Sequence, residues 1–299
     1  MNPYLELIRP KTLPLAAAVI TTGNALAWWH ADASPLIYLL ELITALSLQI
    51  LSNIANDYGD GLRGTDTHRQ GPRRMYQSGL IGARTLRLLI LFFALFSLAS
   101  GILVIVLSER SPSEGLTIFA FGVLAILAAI GYTVGRHAYG YYALGEVSVY
   151  LFFGLLGVVG SYALHHMPIP PAIYLPASGA GLLAAGVLHI NNLRDLDSDA
   201  QAGRKTLAIH LGLARGKQLH LILLGAALLC YLLFALLHLK TAWASLLWLI
   251  LLPAILAHGK RLLHASNSAQ IGGELKTLVI LNLAIALLFS AGLSIHKII

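Results

Sequence analysis

Two acidic clusters, each placed where a strongly apolar stretch runs out, carry the chemistry of this sequence. The first, NIANDYGDGLRGTD, sets Asn53, Asn56, Asp57 and Asp60 three or four positions apart, so one helix face presents all four, with Asp66 just beyond. The second, NNLRDLDSDAQAGRKT, sets Asn192, Asp195 and Asp199 on one face by the same rule. Carboxylates at membrane depth are expensive unless compensated, so they mark function rather than packing. Two facing carboxylate sets suit divalent cations that hold a diphosphate. Magnesium prefers oxygen ligands, bridges carboxylates to phosphate oxygens, and neutralises the departing pyrophosphate when an allylic diphosphate ionises. The expected ligands, direct or through water, are Asp57, Asp60, Asp195 and Asp199, with Asn53, Asn56 and Asn192 supporting the metal shell or the phosphate. Arg63, Arg69, Arg73 and Arg74 flank the first cluster, and Arg194, Arg204 and Lys205 the second. The segments RQGPRR and GRKT favour Arg69, Arg74 and Lys205 as diphosphate-binding groups, because adjacent glycines let those loops fold onto a ligand.

The elements that must position these residues are membrane spans. Of 299 residues, 57% are hydrophobic and only 11% charged, against roughly 25% charged in soluble domains. Nine apolar windows approach the length of about 20 residues that a bilayer core requires: 12–30, 36–58, 86–108, 115–134, 141–164, 171–192, 218–239, 242–258 and 276–296. Lys and Arg divide 17 to 3 between the two sets of loops, which puts the N-terminus and both acidic clusters in the cytoplasm. The net charge of +7 is thereby explained by membrane orientation, and no nucleic-acid partner is implied. The opening MNPYLELIRPKTLP lacks the pattern of a cleaved signal peptide, so the first span is expected to direct insertion. Cys230 is the sole cysteine and lies in an apolar run, excluding a disulfide framework. The expected fold is all-α: one domain over 1–299, nine transmembrane helices around a polar cavity open near the cytoplasmic side, and an apolar tunnel or lateral gap for a lipid tail. The loop from 61 to 84 reads as a lid or binding loop.

The matching segments are RPKTLP at Arg9–Pro14, NDYGDGLRGTD at Asn56–Asp66, GPRRMYQSGLI at Gly71–Ile81, the stretch Tyr132–Glu146, and NNLRDLDSDAQAGRKTLAIHLG at Asn191–Gly212. Through them nearly the whole chain resembles the UbiA superfamily of intramembrane aromatic prenyltransferases, within it most the 1,4-dihydroxy-2-naphthoate polyprenyltransferases of menaquinone synthesis. Gly64 with Asp66, a G-x-D variant of the first motif, resembles that branch. One departure stands in VGRHAYGYY, where Arg136, His137 and Ala138 replace prolines usual in the family. The resemblance implies Mg2+ as cofactor and a location in the bacterial inner membrane. Polyprenyl diphosphate and the aromatic acceptor are the implied substrates, and demethylmenaquinone, diphosphate and CO2 the products.

Catalysis is assigned to Asp57, Asp60, Asp195, Asp199 and Lys205. Substrate binding is assigned to Asn53, Asn56, Asp66, Arg69, Arg74, Tyr132, Tyr141, Glu146, His189, Asn192 and Arg194. Glu146, at the start of the fifth span, is placed to orient the acceptor or close a polar network, and His189 lies one turn before the second motif. Another acceptor ring, such as 4-hydroxybenzoate, homogentisate or a chlorophyllide, is the alternative within enzymes. A cation-coupled secondary transporter is the alternative outside them, but it requires acids reachable from both faces.

Overall fold

The computed structural model describes residues 2–64, 73–166, 168–239 and 242–298, and among these it contains helices and no strand. Asp66 and Arg69 lie outside the described residues. A short helix α1 (Pro3–Ile8) leads into α2 (Leu13–His30), α3 (Pro35–Arg63), α4 (Ala83–Leu107) and α5 (Pro112–Gly131). The second half comprises α6 (Gly145–Ala163), α7 (Tyr174–Arg194), the short α8 (Leu196–Gln201), α9 (Leu207–His238), α10 (Leu252–His264) and α11 (Ser268–Ile298).

Eight helices are long and apolar enough to cross a membrane: α3, α4, α5, α6, Pro171–Arg194, α9, Trp243–His264 and α11. The first expected window forms α2, an 18-residue helix outside those eight; Thr21, Thr22, Asn24 and its terminal His30 dilute its hydropathy. Local sequence sets the helix ends. Ser34 caps α3 with Pro35 in its first turn, and Gly64, at φ +67°, ends it in the left-handed conformation that glycine adopts without strain. A capping box between Ser111 and Glu114 starts α5.

Helix α7 is the most enclosed span, with 72% of its apolar window buried, whereas α4 and α5 bury 11% and 0% and so face lipid. The core around α7 includes Tyr162, Tyr231, Phe234, Trp248 and Phe289. Close approach to α6 is possible because Gly154 and Gly181 face each other: a Cβ on Gly154 would lie 2.7 Å from the Gly181 Cα. Between Tyr150 and Val159, α6 is a π-helix. At its far end a second buried polar group forms. Asn24 Nδ2 donates to Ser161 Oγ at 2.8 Å and to Glu41 Oε2 at 2.5 Å, Ser161 Oγ donates to Glu41 Oε2, and His165 Nε2 pairs with Asn24 Oδ1 at 2.9 Å.

Two sequence expectations need correction. The helical face drawn through Asn192, Asp195 and Asp199 is broken: α7 stops at Asp195, whose φ/ψ of −92°/10° turns the chain into α8. The seventh span begins at Leu207, well before 218, and carries a kink at Gly212, where φ is +71°.

Candidate active site

Asp60, near the C-terminal end of α3, gathers side chains from three connecting segments: the one before α4, the one between α5 and α6, and the turn between α8 and α9. Its carboxylate is 2% exposed and accepts from Arg74 Nη2 at 2.7 Å, Arg204 Nη2 at 2.5 Å and Tyr141 Oη at 2.8 Å. Arg204 Nε lies 3.5 Å from Asp199 Oδ1, so one guanidinium spans an aspartate from each motif. Burial works against the Arg204 charge, but Asp60 and Asp199 outweigh it and hold that charge above the ordinary arginine range. Tyr141 is sandwiched: Arg63 lies 4.1 Å and Arg204 4.7 Å from its ring centroid. Arg63 also donates to the carbonyl of Gly135. Gly59, one residue before Asp60, lets α3 abut the chain at Thr133, whose carbonyl oxygen would lie 2.6 Å from an added Cβ.

The other acids have different partners. Asp57, 1% exposed, accepts from the amides of Met75 at 3.0 Å and Tyr76 at 2.8 Å, and so clamps the segment that carries Arg74. Asp195 takes two hydrogen bonds from its neighbour Arg194, Nε at 2.7 Å and Nη2 at 2.6 Å. Asn53 spends its amide on Ile8 O and Thr12 Oγ1 at 2.9 and 3.0 Å, tying α3 to the N-terminal segment. Asn56 Oδ1 accepts from Thr133 Oγ1 at 3.1 Å. Lys205 is exposed, and its backbone amide donates to Tyr141 O at 2.9 Å. The residue that sequence reasoning left in the background is therefore Arg204, its neighbour.

A second polar group adjoins this one. Asn192 Nδ2 donates to Glu146 Oε1 at 3.1 Å, and His189 Nδ1 lies 2.9 Å from the same oxygen. His189 Nε2 is 2.9 Å from Gly216 O, so the ring is wedged between two acceptors. The Tyr132 hydroxyl lies against Gly145, 3.0 Å from where a Cβ would be. Burial first, then the negative charge of Glu146, pushes the Tyr132 phenol up, with Arg204 opposing and Asp60 reinforcing the shift.

For magnesium, the donors fit in kind: carboxylate and amide oxygens are what this hard cation takes. Among the described residues no three acidic or histidine side chains converge into a ready-made metal cage. A positive group nevertheless occupies the gap between the motifs, because the Arg204 guanidinium bridges Asp60 and Asp199.

Residues 16–292 match the UbiA prenyltransferase family. The chain belongs to this family. It is 44% identical over 301 residues, covering 99% of the chain and 96% of the relative, to the 1,4-dihydroxy-2-naphthoate octaprenyltransferase of Haemophilus influenzae. It is 45% identical to the enzyme of that name from Escherichia coli, over 84% of the chain and 81% of the relative. In three dimensions this UbiA-family chain is similar to a UbiA homologue from Archaeoglobus fulgidus, with a TM-score of 0.65 at 18% identity and full coverage of both chains. That homologue has also been solved bound to GPP and Mg2+, with a TM-score of 0.65 over 97% of this chain. At such identity the likeness concerns the fold alone.

Proposed function

We propose that the protein transfers a polyprenyl group from polyprenyl diphosphate to 1,4-dihydroxy-2-naphthoate, releasing diphosphate and CO2 and forming the quinol of demethylmenaquinone in the bacterial inner membrane. The observation that carries the reading is Arg204, which draws Asp60 of the first motif and Asp199 of the second into one charged group. Identity of 44% and 45% to two 1,4-dihydroxy-2-naphthoate octaprenyltransferases, over 99% and 84% of the chain, supports the choice of acceptor. Helix α2 is proposed as a ninth span and the N-terminus as cytoplasmic, on the 17 to 3 division of Lys and Arg.

Magnesium, when bound, neutralises charge on the diphosphate as its allylic bond breaks. Asp57, Asp60, Asp195 and Asp199 are the residues that would hold it, directly or through water. Arg74 and Arg204 are already fixed in orientation by Asp60, so their guanidiniums can turn donors to phosphate oxygens with little loss of conformational freedom. Arg63 adds a third positive group across the Tyr141 ring. Asp57, by gripping the Met75 and Tyr76 amides, keeps Arg74 at the site. The buried charges concentrate field where water is scarce, which strengthens each contact with the departing group. Arg69 and Lys205 are retained as further contacts to the diphosphate, Asp66 as a substrate-site carboxylate that would reach it through the cation, and Tyr132, Tyr141, Asn56 and Arg194 as the walls around it.

Purified protein in lipid vesicles, given polyprenyl diphosphate with 1,4-dihydroxy-2-naphthoate, 4-hydroxybenzoate or homogentisate in turn, tests this. Pyrophosphate and a decarboxylated prenylated quinol should appear with the naphthoate. Equal turnover of the three acceptors, or none, overturns the proposal.

A further inference from the structure

Glu146 is 5% exposed, yet only one of its carboxylate oxygens is used: Oε1 takes both His189 and Asn192, while Oε2 has no hydrogen-bond partner among the described residues. A buried carboxylate oxygen without a donor is costly, and proteins retain such groups where something else completes them. The position of this oxygen identifies what completes it. The stretch from Tyr132 to Glu146 is stitched to the diphosphate cluster through Tyr141 Oη on Asp60, and to the second motif through Asn192 on Glu146. Tyr132 stands between, its hydroxyl against Gly145 and within the fields of Glu146, Arg204 and Asp60 together. The unpaired oxygen thus belongs to a buried polar group linked through Tyr141 and Asn192 to both aspartate motifs.

We infer that Glu146 Oε2 is the hydrogen-bond acceptor for a ring hydroxyl of the aromatic substrate, with His189 and Asn192 as positioning residues that hold the carboxylate. This deepens the proposed reaction and rests on it. A phenolic hydroxyl is the ligand that chemistry selects, since an ionised carboxylate only accepts and an acceptor ring with two hydroxyls offers donors at fixed spacing. His189, pinned between Glu146 Oε1 and Gly216 O, prevents the carboxylate from turning away.

The test is equilibrium binding to the full-length protein in detergent, with three probes: 1,4-dihydroxy-2-naphthoate, 1-hydroxy-2-naphthoate and 4-hydroxy-2-naphthoate. A hydrogen bond to a charged group predicts that the wild type binds one of the two monohydroxy compounds about ten to a hundredfold more weakly than the dihydroxy compound. In Glu146→Gln that discrimination should shrink to about threefold, while affinity for polyprenyl diphosphate stays at the wild-type value and confirms that the bundle is intact. His189→Gln should fall between. Equal weakening of all three probes in Glu146→Gln, or a wild type that does not distinguish them, overturns the inference. Pyrophosphate release by the wild type is scored separately, and its absence would refute the reaction rather than the subsite.

Discussion

Asp57 makes two bonds whose loss can be followed directly. Its buried carboxylate accepts the amides of Met75 and Tyr76, and neither amide has another acceptor among the described residues. In Asp57→Asn one oxygen survives as an acceptor, while the new NH2 group confronts the other amide. That change removes one charge-assisted bond, weakens the second and strands a buried N–H, together worth roughly 2–4 kcal/mol. At about 1.4 kcal/mol per factor of ten, local opening of the segment around Arg74 should rise roughly 30- to 1,000-fold. Hydrogen exchange on metal-free protein reads this as lost protection at residues 75 and 76, with the α7 core unchanged. Turnover should drop sharply, and excess magnesium should not restore it, because the missing bonds are to amides. Wild-type protection at Met75 and Tyr76 in the variant would refute the clamp, and full rescue by magnesium would leave metal binding as the only role of Asp57.

Arg204→Gln should tighten Mn2+ binding to substrate-free protein, measured by electron paramagnetic resonance, since it removes the cation now lodged between Asp60 and Asp199. The same variant should weaken polyprenyl diphosphate about ten to a hundredfold, whereas Lys205→Gln, altering an exposed side chain, should change that constant less. Asp197→Asn should keep near-normal turnover, because Asp197 is exposed while Asp199, two residues on, is buried. Cysteines placed at Gln77 and Pro168 should label from opposite sides of the membrane. Burial lowers the His165 pKa from 6.5 to about 4, so the unfolded chain binds the extra proton first and thermal stability should decline as pH falls from about 6.5 toward 4; His165→Gln should flatten that decline.

Apolar length made the helices legible, and the spacing within the first motif placed Asp57 and Asp60 on one continuous helix. Other features were hidden for identifiable reasons. GRKT offers two neighbouring cations, and only the turn at Gly203, φ +73°, decides that Arg204 faces Asp60 while Lys205 faces solvent. Asn53 looked like part of the acidic face, but its partners Ile8 and Thr12 lie over forty residues away, a pairing that no local pattern announces. The break at Asp195 escaped notice because the residues on both sides suit a helix, and the turn is set by how α7 and α8 pack. Glu146 and His189 were each visible as isolated polar residues. Their shared hydrogen bond was not.

The π-helical stretch of α6 also limits which length changes the chain can absorb. Each π turn holds one residue more than an α turn, so Tyr150–Val159 acts as a phase shifter between the two ends of the helix. Glu146 lies before it, facing His189 and Asn192, and Ser161 lies after it, facing Asn24 and Glu41. Removing a single residue from the stretch would rotate one end against the other by about 100°, the advance per residue of an α-helix. Either the carboxylate or the serine would then turn away from its partners. Insertions and deletions should therefore be rarer here than in the apolar α5, whose apolar window is 0% buried and whose phase matters correspondingly less.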